Sequence, residues 1–397
     1  MIHLTHGAVA SDARIARAIA LGAIEFGRDN VVAIGVAVSP DSVARGEDSA
    51  AEVVEMRMWS AAIRRVSPRI AALLFLIELN LRMTWHACRH QARIVHCHDH
   101  LVLPAGWFAK LLSGAMLIFD AHELESDQGG TPSASRLALS IERWCWSRVD
   151  LLISVSPSII DWYQQHLGPK PSLLVLNSPV TESAQSRPSD LVRRERGSPG
   201  YFHAHFDMPS RSKVFVYLGL LVPGRGIERL LEVFGRADAR SHIVFMGYGD
   251  RLGVGDAAQR CSNIHLHPAV SHEQVVEYVR HADCGVCLIE DVSLSDRLCL
   301  PNKLFEYAFA GLPVLASRLP EIERVVREYG LGVCCDNDVD SIRQVVEAIE
   351  RDGISPSTAD LTELSWERQA ERLREAYRQL LDRQNGTTRN QPKAGER

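Results

Sequence analysis

Short apolar runs rich in β-branched residues alternate, along almost the whole chain, with stretches whose apolar positions recur every three to four residues. This alternation predicts βαβ units and parallel sheets. A first series of strands is predicted at Ile2–Thr5, Val31–Val36, Ile94–His98, Met116–Ala121, Leu151–Val155 and Leu173–Leu176. A second is predicted at Val214–Leu218, His242–Met246, Ile264–His267, Cys284–Ile289, Pro313–Ala316 and Gly332–Cys335. Between them, residues 181–212 are rich in Ser, Pro, Arg and Gly with no sustained period, which marks a linker region. The expected fold is α/β: two Rossmann-like, doubly wound domains over residues 1–180 and 213–360. A C-terminal helix over 361–383 is expected to pack back toward the N-terminal domain, and the polar stretch 384–397 is expected to be a disordered tail.

Composition narrows the class. A length of 397 residues suits two domains, and 46% hydrophobic with 23% charged residues excludes general disorder. The net charge of −5 argues against a dedicated nucleic-acid binder, so an anionic ligand must be held locally. Nine cysteines, odd in number and without framework spacing, predict reduced thiols and a cytoplasmic setting. The N-terminal residues lack the features of a secretory signal. The most apolar run, Ile70 to Leu81, is interrupted by Glu78 and Asn80 and falls short of the ~20 residues that span a bilayer, so no transmembrane helix is expected. Arg57, Arg64, Arg65, Arg69, Arg82, Arg89 and Arg93 surround the apolar helical stretch from Ile63 to Leu81, with Trp59 and Trp85 near its ends. Two readings stay open: peripheral docking on an anionic membrane, or an ordinary helix packed on the first sheet with its arginines in solvent.

Candidate chemistry concentrates in the second half. In Leu300 to Pro320, Pro301 opens a helix and Gly311 closes it, placing Lys303 and Glu306 one turn apart on one face. Such a lysine suits a diphosphate and such a carboxylate suits ribose hydroxyls; an ordinary surface ion pair has the same spacing. The glycine-containing loop Gly219 to Gly226 follows the first strand of this half, where doubly wound sheets bind ligands, and carries Arg225 as a phosphate clamp. A second loop, Gly247 to Gly253, only approximates a dinucleotide fingerprint, and no acidic residue follows where NAD ribose needs one. In the first half, His122 ends the strand Met116–Ala121 and is a candidate for contact with an acceptor or for a structural role. His96, His98 and His100 alternate and would share one strand face, yet no second cluster with ligand spacing supports a metal.

Taken in order, Asp12-Ala13-Arg14 after Ser11, Asp120-Ala121-His122-Glu123, the Gly219 to Gly226 loop, and Pro301-Asn302-Lys303-Leu304-Phe305-Glu306-Tyr307 with Gly311-Leu312-Pro313-Val314 give a chain that resembles the family 4 glycosyltransferases. The resemblance implies the GT-B architecture, two Rossmann-like domains facing each other across a cleft, and transfer from a nucleotide sugar with retention. It implies that Glu306 binds the donor ribose, that Arg225 and Lys303 clamp the diphosphate beside Gly219, Gly226 and Asn302, and that His122 lies near the transferred sugar and acceptor. The first glutamate of the family's pair falls at Leu298, with Asp296 or Glu290 as substitutes. No cofactor and no metal are expected, since arginine, lysine and a helix N-terminus can meet the leaving charge. The expected role is assembly of a cell-surface polysaccharide or glycolipid at the cytoplasmic face of the membrane, on a glycan or lipid-linked acceptor. The alternatives are a sugar-nucleotide-binding module or scaffold without turnover, and a sugar-nucleotide epimerase.

Overall fold

The computed structural model describes residues 1–9, 12–37, 50–60, 68–127, 131–180 and 199–389. The chain divides into two compact units, Met1–Val175 with Gln369–Arg397, and Leu176–Arg368.

Unit 1 runs β1 (Ile2–Thr5), α1 (Ala13–Phe26), β2 (Val32–Val36), β3 (Glu52–Met56), α2 (Pro68–Arg89), β4 (Ile94–His98), α3 (Leu103–Ser113), β5 (Met116–Ala121), α4 (Pro132–Trp146), β6 (Leu151–Ser154), α5 (Pro157–Leu167) and β7 (Ser172–Leu174). Its seven parallel strands lie in the order β3-β2-β1-β4-β5-β6-β7. Right-handed crossovers put α1 on one face and α2, α3 and α4 on the other. Local chemistry starts the helices: Asp12 accepts from the Arg14 and Ile15 amides, and Ser156 and Thr131 cap helices that begin with proline. Strand β3 is absent from the sequence expectation, because Glu52 and Glu55 flank a core of only two valines at this edge of the sheet.

Unit 2 runs α6 (Tyr201–His205), β8 (Val214–Leu220), α7 (Ile227–Phe234), β9 (His242–Tyr248), α8 (Val254–Arg260), β10 (Ile264–Pro268), α9 (His272–Val279), β11 (Cys284–Cys287), α10 (Leu294–Leu298), α11 (Asn302–Phe309), β12 (Val314–Ser317), α12 (Pro320–Glu328), β13 (Gly332–Cys335) and α13 (Val339–Asp352). Its parallel order is β10-β9-β8-β11-β12-β13. Phe215, Tyr217, Phe245 and Val286 from the strands pack with Ile227, Leu230 and Phe234 of α7 in one buried core. In each sheet the strand order reverses once, between β1 and β4 and between β8 and β11. Doubly wound sheets take ligands beyond the carboxyl ends of strands at that reversal.

Three expectations change. Part of the linker is structured: residues 199–212 include α6, whose Tyr201 stacks edge-on against Tyr278 and whose backbone N–H donates to His281 Nδ1 at 3.2 Å; residues 181–198 lie outside the described residues. The tail does not begin at 384, because α14 (Trp366–Arg389) continues into it as far as Arg389. Arg93 donates to Gln384 and Asn385 at 2.9 and 2.6 Å, and Gln384 donates to the Gly114 carbonyl, so these polar residues are held by hydrogen bonds and not by burial. Residues 390–397 are outside the described set. Helix α2 runs on to Arg89, so Ile70–Arg89 is long and apolar enough to cross a membrane by length and composition. One side of it is packed against the unit, with Leu79, Met83 and Ala87 buried.

Candidate active site

In unit 2 the carboxyl end of β8 turns through Leu221 to Gly226 into α7. A side chain at Gly226 would put its Cβ 2.7 Å from Leu288 Cβ, and its φ of +69° is unfavourable to L residues, so only glycine brings the backbone this close. No side chain caps the first amides of α7 or of α11. Beside them Lys303, in the first turn of α11, lies with its ammonium 3.9 Å from the centroid of the Tyr217 ring and 4.0 Å from where a Cβ on Gly219 would stand. Burial lowers the Lys303 pKa to about 8, with Arg225 adding to the fall and Cys287 and Glu306 opposing it. The structure therefore brings Gly219, Arg225, Lys303 and Glu306 into one electrostatic neighbourhood at the reversal point. Asn302 is exposed at the start of the same helix.

Helix α11 is pinned by a residue whose role sequence reasoning missed. The Tyr307 hydroxyl accepts from the Leu218 N–H at 3.0 Å and stands 3.0 and 3.2 Å from the Val216 and Val286 carbonyls, tying α11 to β8 and β11. Its ring covers Gly285, where any Cβ would fall 2.4 Å from it. The signal was present: glycine in a buried strand marks the close approach of another group.

The carboxylates considered as substitutes for the absent first glutamate are both occupied. Asp296 takes Arg225 Nη1 at 3.1 Å and the Ser293 hydroxyl at 2.6 Å, and Glu290 is ion-paired with Arg229. In the second glycine loop Asp250 accepts from the Leu252, Val254 and Gly255 amides at 2.9 to 3.2 Å. A carboxylate thus fills the N-terminus of α8, where a dinucleotide phosphate would have to sit.

Unit 1 gathers a buried polar network at its own reversal point. Asp120, at the end of β5, is its hub. Arg14 grips it with two nitrogens at 2.6 and 3.3 Å and donates its third to the Val175 carbonyl at 2.6 Å. His96, His98 and His122 each place a ring nitrogen 3.3 to 3.5 Å from Asp120 Oδ2. The far side of the His122 ring faces Asp12 at 3.6 Å and Asp99 at 3.9 Å. Burial pushes toward neutral His122, but Asp99, Asp120 and Asp12 outweigh it and hold the pKa well above the ordinary value. His98, fully buried, falls to about 3 through burial and its neighbour His96, so it stays neutral. Burial would raise Asp120, but Arg14 and His122 hold it well below the usual carboxylate range. The result favours the imidazolium form of His122, a hydrogen-bond donor and local positive charge.

The alternating histidines separate. His96 and His98 share a face with His3, whose Nδ1 lies 3.1 Å from His98 Nε2, but β4 ends at His98 and His100 turns away to pair with Glu125 at 3.2 Å. His3, His96 and His98, and likewise His98, Asp120 and His122, bring ligand-type atoms within 4.8 Å of one another. Arg14 beside Asp120 adds a fixed positive charge, which disfavours a further cation on the second group. Sequence reading missed His3 and Tyr377, whose hydroxyl is 3.1 Å from His96 Nδ1, since neither is near the others in sequence. Ser11 of the early motif lies outside the described residues.

Two parallel-sheet units, each with its polar cluster at the strand-order reversal, have the architecture of the GT-B glycosyltransferases. The chain matches the glycosyl transferase 4-like domain over residues 13–179 and the glycosyl transferases group 1 domain over residues 212–352. It belongs to the family 4-like glycosyltransferases. Among solved structures it is similar to sucrose-phosphate synthase from Thermosynechococcus elongatus (15% identity, TM-score 0.74, 96% of this chain and 99% of that one). It is similar also to Anabaena HepE in complex with UDP-glucose (13%, 0.65, 98% and 99%) and to α,α-trehalose-6-phosphate synthase from Burkholderia multivorans (13%, 0.63, 100% and 98%). At these identities the likeness is one of fold. No curated protein matches the chain at significant similarity.

Proposed function

We propose that this glycosyltransferase takes its sugar from a UDP-activated donor and transfers it with retention of anomeric configuration, in building a cell-surface polysaccharide or glycolipid. The observation that carries the donor reading is the meeting of Arg225, Lys303 and Glu306 beside uncapped helix amides at the carboxyl end of β8. UDP is the nucleotide named with HepE, a structure of the same fold. In this reading Glu306 accepts from the ribose hydroxyls, and Lys303 and Arg225 bind the diphosphate. Arg225 must exchange Asp296 for phosphate oxygens, so Asp296 holds the guanidinium in place until donor arrives.

Transfer proceeds by attack of the acceptor oxygen on the anomeric carbon from the face that the diphosphate leaves. The glycosidic C–O bond forms as the C–O bond to phosphate breaks, and the acceptor proton passes to the departing phosphate oxygen. His122, favoured as a cation by Asp99, Asp120 and Asp12, contributes charge and hydrogen bonding to the sugar or acceptor. Arg225 and Lys303 neutralise the leaving group, so no divalent metal or other cofactor is required.

Incubation with a panel of nucleotide sugars and candidate acceptors tests this, read as nucleoside diphosphate release with the product's anomeric configuration by NMR. UDP release with a retained linkage is expected, unchanged by a chelator, and Arg225→Ala and Lys303→Ala should each lower turnover far more than melting temperature. Inverted product or loss of activity on chelation refutes the corresponding part of the reading.

A further inference from the structure

Helix α2 is apolar on both its buried and its exposed side, which is unusual for a surface helix. Its inner side is buried through Ala71, Leu79, Met83 and Ala87, and Asn80 bonds to the adjoining segment, accepting from the Ala105 N–H at 2.8 Å and donating to the Leu101 carbonyl at 3.0 Å. The opposite side of such a helix is ordinarily charged. Here it presents Ile70, Leu73, Leu74, Ile77, Leu81 and Trp85, exposed by 37 to 66%. At 3.6 residues per turn these six fall within one arc of about 120° and extend ~22 Å along the axis. Helix α3, packed beside it, adds Phe108, Leu111 and Leu112. Helix α4 adds Trp144, whose ring lies 5.8 Å from Phe108.

On the three helices themselves the open charges are cationic. Helices α2, α3 and α4 contain two carboxylates, Glu78 and Glu142. Glu78 accepts from the Trp59 and Ser60 amides, both at 2.9 Å, and from Arg82. Glu142 is buried and takes the Tyr163 hydroxyl. Neither is open on the apolar side. Arginines remain on that side: Arg89 lies over the Trp85 ring at 5.2 Å, Arg136 and Arg143 are exposed on α4, and Arg82, though paired with Glu78, lies over the Trp59 ring at 5.3 Å. A tryptophan with a guanidinium against it combines an apolar body with a cation, which suits the headgroup level of a bilayer.

We propose that this α2–α3–α4 face of unit 1 docks on the surface of a membrane containing anionic phospholipids. A second copy of the chain is a poorer occupant, because a two-fold contact sets the arginines against their own copies with no open carboxylate on these helices to receive them. Lipid phosphates receive the arginines while the acyl boundary receives the apolar arc. The packed inner side and the Asn80 bonds keep α2 part of unit 1, so it lies on the bilayer and does not span it. The inference rests on unit 1 alone and stands apart from the identity of the donor.

Flotation of the full chain with vesicles of mixed phosphatidylglycerol and phosphatidylcholine, beside pure phosphatidylcholine, tests it. The protein should float with the anionic vesicles at low salt and several-fold less with neutral ones or at high salt. Leu73→Gln with Leu81→Gln should reduce the floated fraction at least about tenfold with an unchanged melting curve, since both side chains are exposed. Arg89→Gln with Arg143→Gln should reduce it and flatten its salt dependence. Protein that stays at the bottom with anionic vesicles overturns the proposal, as does equal binding to neutral ones. So does a lipid-free dimer, seen by sedimentation, that Leu73→Gln with Leu81→Gln converts to monomer.

Discussion

A lysine that titrates near 8 is a sensitive probe of the diphosphate site, because only its charged form clamps phosphate. Burial against Tyr217 and the nearby Arg225 lower Lys303 to about 8 in the free protein. The charged fraction is then about 0.9 at pH 7, one half at pH 8 and about 0.24 at pH 8.5. UDP, whose terminal phosphate titrates near pH ~6, is already about nine-tenths ionised at pH 7, so its own titration changes the affinity by only about a tenth over this range. If the bound diphosphate returns Lys303 to the ordinary lysine range, UDP affinity falls about fourfold from pH 7 to pH 8.5, or ~0.8 kcal/mol. Binding at pH 8 should also draw about half a proton from solution. Isothermal titration in two buffers of different ionisation enthalpy reads both quantities. Lys303→Arg, whose guanidinium does not titrate here, should bind with neither pH dependence nor proton uptake. An affinity flat across this range in the wild type, with no buffer-dependent heat, would refute the placement of Lys303 on the diphosphate.

Further outcomes follow from the same geometry. Glu306→Gln should weaken UDP binding by about 1.5 to 3 kcal/mol, the range for hydrogen bonds to a charged acceptor, and unchanged affinity in calorimetry removes Glu306 from the ribose. Arg14→Ala leaves Asp120 buried without its main partner and should cost about 3 to 5 kcal/mol in urea unfolding, with Asp120→Leu added to it recovering part of the loss. Tyr307→Phe strands the Leu218 N–H and should cost about 1 to 3 kcal/mol. His122 is raised in the folded state, so its contribution to stability is complete below the ordinary value near ~6.5 and is lost as pH rises through the folded value. The stability gap between wild type and His122→Gln should therefore narrow with rising pH, and a gap that widens contradicts the pairing with Asp12, Asp99 and Asp120.

The periodic strands and the Pro301 to Gly311 helix were legible because burial on both faces of a parallel sheet imposes unbroken apolar runs, and because proline and glycine punctuate locally. Edge strand β3 was not legible, since one of its sides meets solvent and its glutamates mask the run. The grouping of Arg225 with Lys303 followed from the rule that ligands sit at strand ends. Their partners did not: Asp296 reaching Arg225 and Tyr217 lying under Lys303 depend on how loops return, which no local pattern encodes. The histidines show the same boundary. Alternation put His96 and His98 on one face, but only strand pairing brings His3 beside them, and only the observed strand end sends His100 elsewhere.

The return of α14 to unit 1 has a consequence for the order of events on the ribosome. His96 and Tyr377 are 281 residues apart, and the hydroxyl that faces the buried His96 ring is supplied by the last helix. Unit 2 lies entirely between them in the chain. At ~5 to 20 residues per second, roughly 15 to 60 s pass between synthesis of β4 and arrival of its covering helix. Through that interval the nascent β1–β7 sheet carries uncovered histidines on its α1 side, while the contiguous unit 2 has all its own strands and can complete first. Chaperone capture during synthesis should therefore fall on the N-terminal sheet, although it is made earliest.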